Sequence, residues 1–297
     1  MAATFVDDKT PLCVPFILEI LEAHNKQHPQ ASTQPFIVGI NGVQGAGKTT
    51  LVGNLEKEFK GRGYETLVCS IDDFYKTRED HVRLADERQD NALYQHRGVP
   101  GTHDTDLLQS FIDDILAGRP TQVPIYDKSA HQGRGDRAPQ TSWLSVTKPP
   151  QILILEGWCV GFRAIPSSSI PALHAAPSRT LSQHQVSHLS FMNESLAPYE
   201  KIWDLLDAFV HIDAEDLTWV YEWRQEQEDA LRRDKGDEEA GMSKEEVVRF
   251  VDGYFPAYEL YTEAVRKGLF QGKPNSVGKH LRLIVGRDRK VKEVVRV

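Results

Sequence analysis

The segment GINGVQGAGKTTLVGNL, which begins at Gly39, constrains the fold more than any other part of the chain. Residues 42–49 match the pattern GxxxxGK[ST] of a phosphate-binding loop, called the P-loop below. The match follows the run PFIVGIN, which is apolar on both faces like a buried parallel strand, and precedes a helical pattern from Thr49 to Lys60. A strand, a glycine-rich loop and a helix in this order surround phosphate groups with backbone N–H groups and a helix N-terminus.

The residue types within the P-loop also fit the binding of a nucleoside triphosphate. Its glycines permit a positive φ and a close approach of the backbone to the ligand. Lys48 can reach the β- and γ-phosphates, and the hydroxyl of Thr49 can ligate Mg²⁺. A glycine-rich turn without a ligand is the alternative, but the flanking strand and helix favour nucleotide binding. The predicted nucleotide-binding residues are Gly42, Val43, Gln44, Gly45, Ala46, Gly47, Lys48, Thr49 and Thr50.

Apolar runs that alternate with helical patterns predict the architecture around the P-loop. ETLVCSI, QILILE and DAFVHID indicate further buried strands, and a helix is predicted from Asp104 to Leu116. Such alternation is typical of βαβ units. We therefore expect an α/β fold, with a doubly wound, mostly parallel sheet of the P-loop NTPase type and helices on both faces. An N-terminal helix is expected over 10–27, and residues 1–297 are expected to form a single domain.

Two segments interrupt this alternation. Residues 163–190 are rich in Ser, Pro, Ala and His without periodicity, which predicts a mobile insertion. Its histidines His174, His184 and His188 lack the spacing of metal ligands, so solvated loop histidines are favoured over a metal site. Residues 215–245 combine a charged helix with an acidic, glycine-containing loop and are expected to form a helical lid.

The charge and cysteine patterns argue against several classes of function. The chain carries 43 acidic and 35 basic residues, a net charge of −8, which argues against nucleic acid or an anionic membrane as the main partner. Its three cysteines form no CxxC pair, so neither a zinc site nor a disulfide framework is indicated. The sequence suggests neither a membrane span nor a targeting peptide. These features predict a protein of the cytosol, or also of the nucleus, and leave the oligomeric state open.

Carboxylates at the ends of two predicted strands favour a kinase over other nucleotide-binding proteins. Asp72 and Asp73 follow the second strand, and Glu156 ends QILILE. Ligands bind at this edge of a parallel sheet, where a carboxylate can take a proton from a hydroxyl or organise a metal ion. Helix capping or solvation is the alternative for the Asp72 and Asp73 pair. The chain has neither the NKxD element of a GTP switch nor the LSGGQ-like signature of a transporter ATPase.

Seven motifs together carry a family resemblance. In order along the chain they are GVQGAGKTT, SIDDFY, RGVPGTHD, VPIYDKSAHQGRGDR, LILEGWCVGF, YEWRQEQE and GMSKEEVVRFVDGYFPAY. Their order resembles that of plant and fungal D-glycerate 3-kinase-like proteins, within the wider class of uridine kinases, phosphoribulokinases and pantothenate kinases. The resemblance extends roughly from Pro35 to the C-terminus. It departs from the family at the segment 163–190, which is longer than the family's connection.

The resemblance implies roles for residues in these motifs. It implies ATP as the nucleotide, Asp72 as the general base and a water-mediated neighbour of Mg²⁺, and Glu156 as the acid that organises Mg²⁺ with Thr49. The implied substrate-binding residues are Asp73, Tyr75, Arg97, His103, Tyr126, Lys128 and Arg137. The cations among them would give an acidic chain a positive pocket for an anionic substrate. Solvated loop cations are the alternative.

A catalytic arginine is expected in the lid segment. Arginine binds phosphate oxygens bidentately through its planar donor fork. Arg224, in the family-like WR dipeptide, is expected to close over the transferring phosphoryl group. Its acidic neighbours in the helix also permit ordinary surface salt bridges. With Lys48 and Asp72, Arg224 completes the predicted catalytic set.

These patterns predict an ATP- and Mg²⁺-dependent kinase that phosphorylates a hydroxyl group of a small molecule, and the resemblance favours D-glycerate as the acceptor. A nucleoside kinase or another metabolite kinase is an alternative within the same class. A non-catalytic ATP-binding regulator is an alternative of a different class.

Overall fold

The computed structural model describes residues 7–27, 34–272 and 276–297. The α-helices of these ranges are α1 Thr10–Gln27, α2 Lys48–Gly61, α3 Arg78–Glu87, α4 Thr105–Leu116, α5 Ile170–Ala175, α6 Val186–Glu194, α7 Ala197–Trp203, α8 Trp219–Lys235, α9 Lys244–Asp252 and α10 Phe255–Lys267. The strands are β1 Phe36–Gly42, β2 Thr66–Ser70, β3 Thr121–Val123, β4 Tyr126–Asp127, β5 Asp136–Arg137, β6 Leu144–Val146, β7 Ile152–Gly157, β8 Ala208–Ala214, β9 His280–Val285 and β10 Val291–Arg296.

Six of these strands form one sheet in the order β10-β9-β8-β1-β7-β2. β1 is parallel to β7 and β8, β2 is parallel to β7, and β9 is parallel to β8. Only the edge strand β10 is antiparallel to its neighbour within this sheet. Two short ribbons, β3 with β6 and β4 with β5, lie outside the sheet. A mostly parallel central sheet with helices around it confirms the predicted fold class.

The centre of the sheet is apolar because other elements cover it. Every residue of β1 and β8 is buried. Helix α2 adds Leu51, Leu55 and Phe59, which its helical spacing placed on one side, to the same core. Removal of this apolar surface from water is the main favourable contribution to folding. No helix in the described ranges combines the length and the hydropathy needed to cross a membrane.

The last two strands, β9 and β10, are not predicted by the sequence pattern. Four of the six residues of β9 are buried, whereas β10 is mostly exposed. Arg282 interrupts the apolar pattern of β9. In the structure its guanidinium lies 2.6 Å from the carboxylate of the fully buried Asp213 in β8. The partner of this charge is therefore a residue that is distant in the sequence.

The structure corrects the prediction that residues 163–190 are irregular, whereas their mobility stays a prediction. The segment contains α5, two 3-10 turns and the start of α6. Ile170, Leu181 and Leu189 are buried in the common core. Short irregular connections separate these residues, so their spacing follows neither a helical nor a strand period. Each of them nevertheless packs in the core.

One histidine of this segment also differs from the prediction of solvated loop residues. His188 is 7% exposed, and its Nε2 lies 3.2 Å from the carboxylate of Asp90. Nε2 of His174 lies 2.9 Å from the carbonyl oxygen of His184. Within the described ranges, no group of three or more His, Cys, Asp or Glu side chains could hold a metal ion. The prediction is wrong for His188, which makes a specific contact in a buried position.

The predicted lid, residues 215–245, consists mainly of α8 and the loop that leads to α9. Trp223 anchors the helix, because its ring is fully buried and its Nε1 donates to the carbonyl oxygen of Arg287 at 2.8 Å. Glu228 anchors the loop by accepting a hydrogen bond from the backbone nitrogen of Met242 at 2.8 Å. Both halves of the segment thus contact the rest of the fold, and closure over a ligand stays a prediction.

Candidate active site

The P-loop connects β1 to α2 at the carboxyl edge of the sheet. Gly45 has a φ of 79°, which L-residues with side chains disfavour. A Cβ at this position would lie 2.5 Å from the Cβ of Trp223 in α8, so a larger residue does not fit. Nζ of Lys48 donates to the carbonyl oxygens of Gly42 at 2.7 Å and Val43 at 3.3 Å. The loop therefore holds the ammonium group of Lys48 against its own backbone.

Lys48 shares one site with acids from two neighbouring strands. Burial lowers the pKa of Lys48, whereas the carboxylates of Glu156 and Asp72 raise it. Glu156 lies in register with Ile40 of β1 and with Ser70 of β2. The parallel register thus brings the P-loop lysine and both predicted acids to the same edge of the sheet.

A 3-10 helix, Ile71–Phe74, presents Asp72 at the end of β2. Oγ of Ser70 caps this helix by accepting a hydrogen bond from the backbone nitrogen of Asp72 at 3.3 Å. The side chain of Asp72 is 23% exposed, and its Oδ2 lies 2.5 Å from Nζ of Lys128. Burial raises the pKa of Asp72, but the charge and hydrogen bond of Lys128 outweigh burial and keep the pKa below its usual value. The carboxylate is therefore ionised at neutral pH and acts as an acceptor only.

Asp73 is adjacent in sequence but has a different environment. Its carboxylate accepts a hydrogen bond from the backbone nitrogen of Ser70 at 3.3 Å, which completes a capping box. Burial raises the pKa of Asp73 to about 6, and the charges of Asp72 and Glu156 act in the same direction. Asp73 thus caps the 3-10 helix, as one alternative for the acid pair predicted, whereas Asp72 pairs with Lys128. The predicted role of Asp73 in substrate binding stays a prediction.

Three of the predicted substrate-binding residues form an aromatic wall. The ring of Tyr75 stacks on that of His103, with 4.3 Å between centroids and 15° between planes. Tyr126 meets Tyr75 edge-on at 5.2 Å. A strand-like backbone bridge between Tyr75 and His103 supports this stack. Burial lowers the pKa of His103 to about 4, so its ring is neutral at pH 7.

The two predicted arginines beside this wall hold the backbone of nearby loops. Arg97 donates to the carbonyl oxygen of Gly133 at 2.8 Å, in the loop between β4 and β5. Arg137 donates to the carbonyl oxygen of Tyr75 at 2.8 Å and to the carboxylate of Asp104 at 2.9 Å. Neither is a simply solvated cation, because both shape the loops around Lys128. Direct contact of either guanidinium with a substrate stays a prediction.

The predicted metal ligands offer the chemistry that Mg²⁺ requires. Thr49 lies exposed in the first turn of α2, and Asp72 and Glu156 both act on the charge of the adjacent Lys48. Mg²⁺ binds oxygen ligands and takes one or two protein carboxylates together with phosphate and water oxygens. A hydroxyl and two carboxylates therefore fit Mg²⁺.

Arg224 stands apart from these residues. In the part of the chain that the structure describes, it makes no hydrogen bond to the P-loop or to the acids. Its guanidinium donates to Gln227 at 3.0 Å and to Glu228, and it lies 4.9 Å from the ring centre of Phe250. Burial, the largest cause, and the charge of Asp72 raise the pKa of Tyr254, whereas the charge of Arg224 lowers it. The helix-surface pairing is thus observed, and the catalytic role stays a prediction.

Two side chains that contact the P-loop, those of Tyr258 and Arg289, were not predicted from the sequence. The hydroxyl of Tyr258, in α10, accepts a hydrogen bond from the backbone nitrogen of Gln44 at 3.3 Å. Arg289, in the turn between β9 and β10, donates to the carbonyl oxygen of Gly45 at 2.7 Å and pairs with Glu226 at 2.6 Å. Tyr258 lies in the motif GMSKEEVVRFVDGYFPAY, but nothing in this motif indicates its contact with the P-loop. Nothing in the sequence near Arg289 indicates its contact.

Known proteins that resemble this chain include kinases, which agrees with the geometry of the site. The model of the Phosphoribulokinase / Uridine kinase family matches residues 37–163. An uncharacterized kinase of Schizosaccharomyces pombe is 38% identical over 248 residues, which are 82% of this chain and 86% of that protein. The chain belongs to the phosphoribulokinase and uridine kinase family.

Two other proteins similar to this chain carry the name D-glycerate 3-kinase. The chloroplastic enzyme of Arabidopsis thaliana is 38% identical over 232 residues, which are 76% of this chain and 48% of that protein, so the chain matches about half of its length. The solved structure of the enzyme from Cryptococcus neoformans matches with a TM-score of 0.87 at 32% identity, over 98% of this chain and 99% of that one. The resemblance inferred from the motifs is confirmed, and this family member is a phosphotransferase with a hydroxyl acceptor.

Proposed function

We propose that this kinase uses ATP and Mg²⁺ and transfers the γ-phosphoryl group to a hydroxyl group of D-glycerate. The observation that carries the proposal is the pair of Asp72 and Lys128, 2.5 Å apart, in the site that contains Lys48. The ionised carboxylate can accept the proton of a hydroxyl, and the ammonium group can receive an anionic group of the same small molecule. The two relatives named D-glycerate 3-kinase support this particular acceptor.

Each group of the site has a defined task in this proposal. Lys48 and the backbone N–H groups of the P-loop bind the β- and γ-phosphates. Mg²⁺ would be held by Thr49, Glu156 and, through water, Asp72, and when bound it neutralises charge on the phosphate oxygens. Asp72 takes the proton of the acceptor hydroxyl as the hydroxyl oxygen attacks the γ-phosphorus and ADP leaves. Arg224 stabilises the transferring group after closure of α8.

A panel of acceptors tests the proposal. The purified protein is incubated with ATP, Mg²⁺ and, separately, D-glycerate, L-glycerate, nucleosides, pantothenate and sugar phosphates, and products are read by mass spectrometry. We expect a phosphorylated product from D-glycerate. Absence of product from every acceptor, while a related kinase is active in the same assay, would contradict the proposal. Preference for a nucleoside would assign the alternative within the same class.

Two variants distinguish the kinase from a regulator that uses ATP binding to change shape. A regulator would hydrolyse ATP at a rate that does not depend on an acceptor. The Lys48→Ala variant of such a protein would lose this ATPase activity, and the Asp72→Asn variant would keep it. The proposed kinase forms product only with an acceptor and loses it in both variants.

A further inference from the structure

Behind the aromatic wall, hydrogen bonds connect the ring of His103 to a buried tyrosine. The hydroxyl oxygen of Tyr199, in α7, accepts a hydrogen bond from the backbone nitrogen of Gly101 at 2.9 Å. The same hydroxyl lies 2.8 Å from Nδ1 of His103. Tyr199 is fully buried and His103 is 1% exposed. The position of one edge of the imidazole is therefore set by a side chain that follows the segment 163–190.

The hydrogen bonds of Tyr199 also determine which nitrogen of His103 carries the proton. The tyrosine hydroxyl has one proton, which needs an acceptor. The Gly101 group is a donor, so Nδ1 of His103 is the one acceptor that the hydroxyl contacts within the described ranges. Nδ1 therefore accepts, and the neutral imidazole carries its proton on Nε2. The opposite tautomer would leave the buried hydroxyl proton of Tyr199 without a partner, which is unfavourable.

The Nε2 edge of the same ring is buried but lacks a partner. Nε2 of His103 has no hydrogen bond to any residue that the structure describes. Buried N–H groups of this kind are uncommon in native proteins. Tyr75 stacks on the ring at 4.3 Å, and the backbone nitrogen of Tyr75 donates to the carbonyl oxygen of Asp72 at 3.4 Å. The ring that carries the unpartnered donor is therefore packed against the same turn that presents Asp72.

We propose that Nε2–H of His103 donates a hydrogen bond to a carboxylate oxygen of the phosphoryl acceptor, and that Tyr199 is the positioning residue that keeps this donor in place. The proposal rests on the proposed function, in which Asp72 receives the proton of the reacting hydroxyl. A short hydroxy acid matches both groups: its hydroxyl donates to the acceptor-only Asp72, and its carboxylate accepts from His103 and Lys128. A nucleoside has no carboxylate for these donors.

The Tyr199→Phe variant tests the positioning role because it removes the hydroxyl and keeps the ring. We expect KM for D-glycerate to rise about tenfold, the effect of one lost hydrogen bond, while kcat changes by less than about threefold and KM for ATP by less than about twofold. An unchanged KM for D-glycerate would overturn the proposal. An equal rise in both KM values would also overturn it, since that indicates general loosening of the fold.

Two substitutions of His103 separate the donor from the ring. The side-chain amide nitrogen of glutamine can occupy the place of Nε2, whereas that of asparagine reaches only the place of Nδ1. We therefore expect His103→Gln to keep KM for D-glycerate within about threefold of the wild type, and His103→Asn to raise it about tenfold or more. Equal KM values in the two variants, or the reverse order, would count against the donor role.

The tautomer of His103 can be measured without any acceptor. Long-range ¹H–¹⁵N NMR spectra of protein labelled with ¹⁵N-histidine report which ring nitrogen is protonated, and the signal missing in His103→Gln identifies the ring. We expect a single Nε2–H tautomer at pH 7 in the wild type and a mixture in Tyr199→Phe. An Nδ1–H tautomer in the wild type would overturn the inference. If the wild type phosphorylates no acceptor, the proposed function fails, and this spectrum still decides whether His103 presents the donor.

Discussion

At the scale of single residues, Asp72 and Asp73 are adjacent carboxylates with different partners. Lys128 pairs with Asp72, while Asp73 accepts a backbone hydrogen bond from Ser70. We predict that Asp72→Asn lowers kcat by about 10²–10⁴-fold, the range for loss of a general base. The affinity of the Asp72→Asn variant for ATP, measured by calorimetry, should stay within about threefold of the wild type. Asparagine has the same shape as aspartate, and position 72 lies outside the P-loop.

Asp73→Asn is the matched control for this variant. Asparagine can still accept the hydrogen bond from Ser70, so the 3-10 helix keeps its cap. We expect kcat to fall by less than about tenfold. If Asp73→Asn abolishes activity and Asp72→Asn does not, Asp73 is the base and the assignment made from the ion pair is wrong.

A second prediction at this scale concerns Lys128 and the pH profile. Lys128 keeps the pKa of Asp72 low against the effect of burial. In Lys128→Met burial acts without this opposing charge, so the pKa of Asp72 rises and the base becomes protonated at higher pH. The acid limb of the kcat/KM profile should therefore move to higher pH, and activity should fall more at pH 5.5 than at pH 8.

Arg134→Met provides the control, because it removes an exposed cation from the same loop between β4 and β5. Its acid limb should coincide with that of the wild type. A shift of the same size in both variants would mean that general electrostatics, rather than the pair of Lys128 and Asp72, controls the profile.

The sequence was sufficient to predict which residues of the short motifs lie together at one edge of the sheet, whereas their roles stay predictions. Lys48, Asp72 and Glu156 could be predicted because each ends or follows an apolar strand, and parallel strands end at one edge of a sheet. The partner of Asp72, and the contact of Tyr199 with His103, depend on loops that meet only in the folded chain. No local pattern encodes such contacts.

At the scale of elements, the turn between β9 and β10 supports the P-loop. Arg289 in this turn donates to the carbonyl oxygen of Gly45 at 2.7 Å, and its guanidinium lies 5.1 Å from the ring centre of Trp223. We predict that Arg289→Ala raises the Kd for ATP about three- to tenfold, since one charged hydrogen bond to the loop is lost. Calorimetric titration with ATP measures this change.

Arg287→Ala is the control from the same turn. Its guanidinium is 69% exposed and pairs with Glu222 on the surface, so its loss should change the Kd for ATP by less than about twofold. Equal effects of the two substitutions would show that the charge of the turn, and not the contact with Gly45, supports nucleotide binding.

The segment 163–190 is held by contacts that sequence periodicity cannot detect. Glu259 of α10 accepts hydrogen bonds from the backbone nitrogens of Arg179 at 2.6 Å and Thr180 at 3.0 Å. A distant carboxylate thus holds an otherwise irregular stretch. Composition rich in Ser and Pro predicted an irregular segment because it reports local preference and not such long-range partners.

We predict that Glu259→Ala lowers the free energy of unfolding by about 1.5–3 kcal/mol, because two backbone N–H groups lose a charged acceptor. Limited proteolysis should become faster within residues 176–185. Glu263→Ala is the control one turn along the same helix, since Glu263 is 65% exposed and its loss should cost less than about 1 kcal/mol. Similar destabilisation by both substitutions would argue against a specific tether.

At the scale of the whole molecule, the sequence predicts a mostly parallel sheet but not all of its strands. The strands β1, β2, β7 and β8 are apolar runs that can be recognised individually. β9 contains Arg282, whose charge is compensated by Asp213 of the neighbouring strand, and β10 is mostly exposed. Their recognition requires the strand order, which the sequence pattern does not contain.

Buried histidines across the molecule predict how stability depends on pH. Burial lowers the pKa of His103 and His211 to about 4 and that of His280 to about 3, from an ordinary value of 6.5. Below pH 6.5 the unfolded chain binds protons that the native state does not, so the free energy of unfolding decreases as pH falls. Asp73, with its pKa raised to about 6, has the opposite effect and offsets one histidine. We expect a net loss of about 2.5–3 kcal/mol per pH unit between pH 6 and pH 5, measured by urea unfolding.

His280→Asn separates this histidine effect from the general effect of acid. Nδ1 of His280 accepts a weak hydrogen bond from the backbone nitrogen of Leu269 at 3.4 Å, and the asparagine oxygen can occupy the same place. The variant retains an acceptor but cannot titrate, so its loss of stability between pH 6 and pH 5 should be smaller by about 1 kcal/mol than that of the wild type. Parallel stability curves for the two proteins would mean that His280 does not contribute to the loss of stability between pH 6 and pH 5.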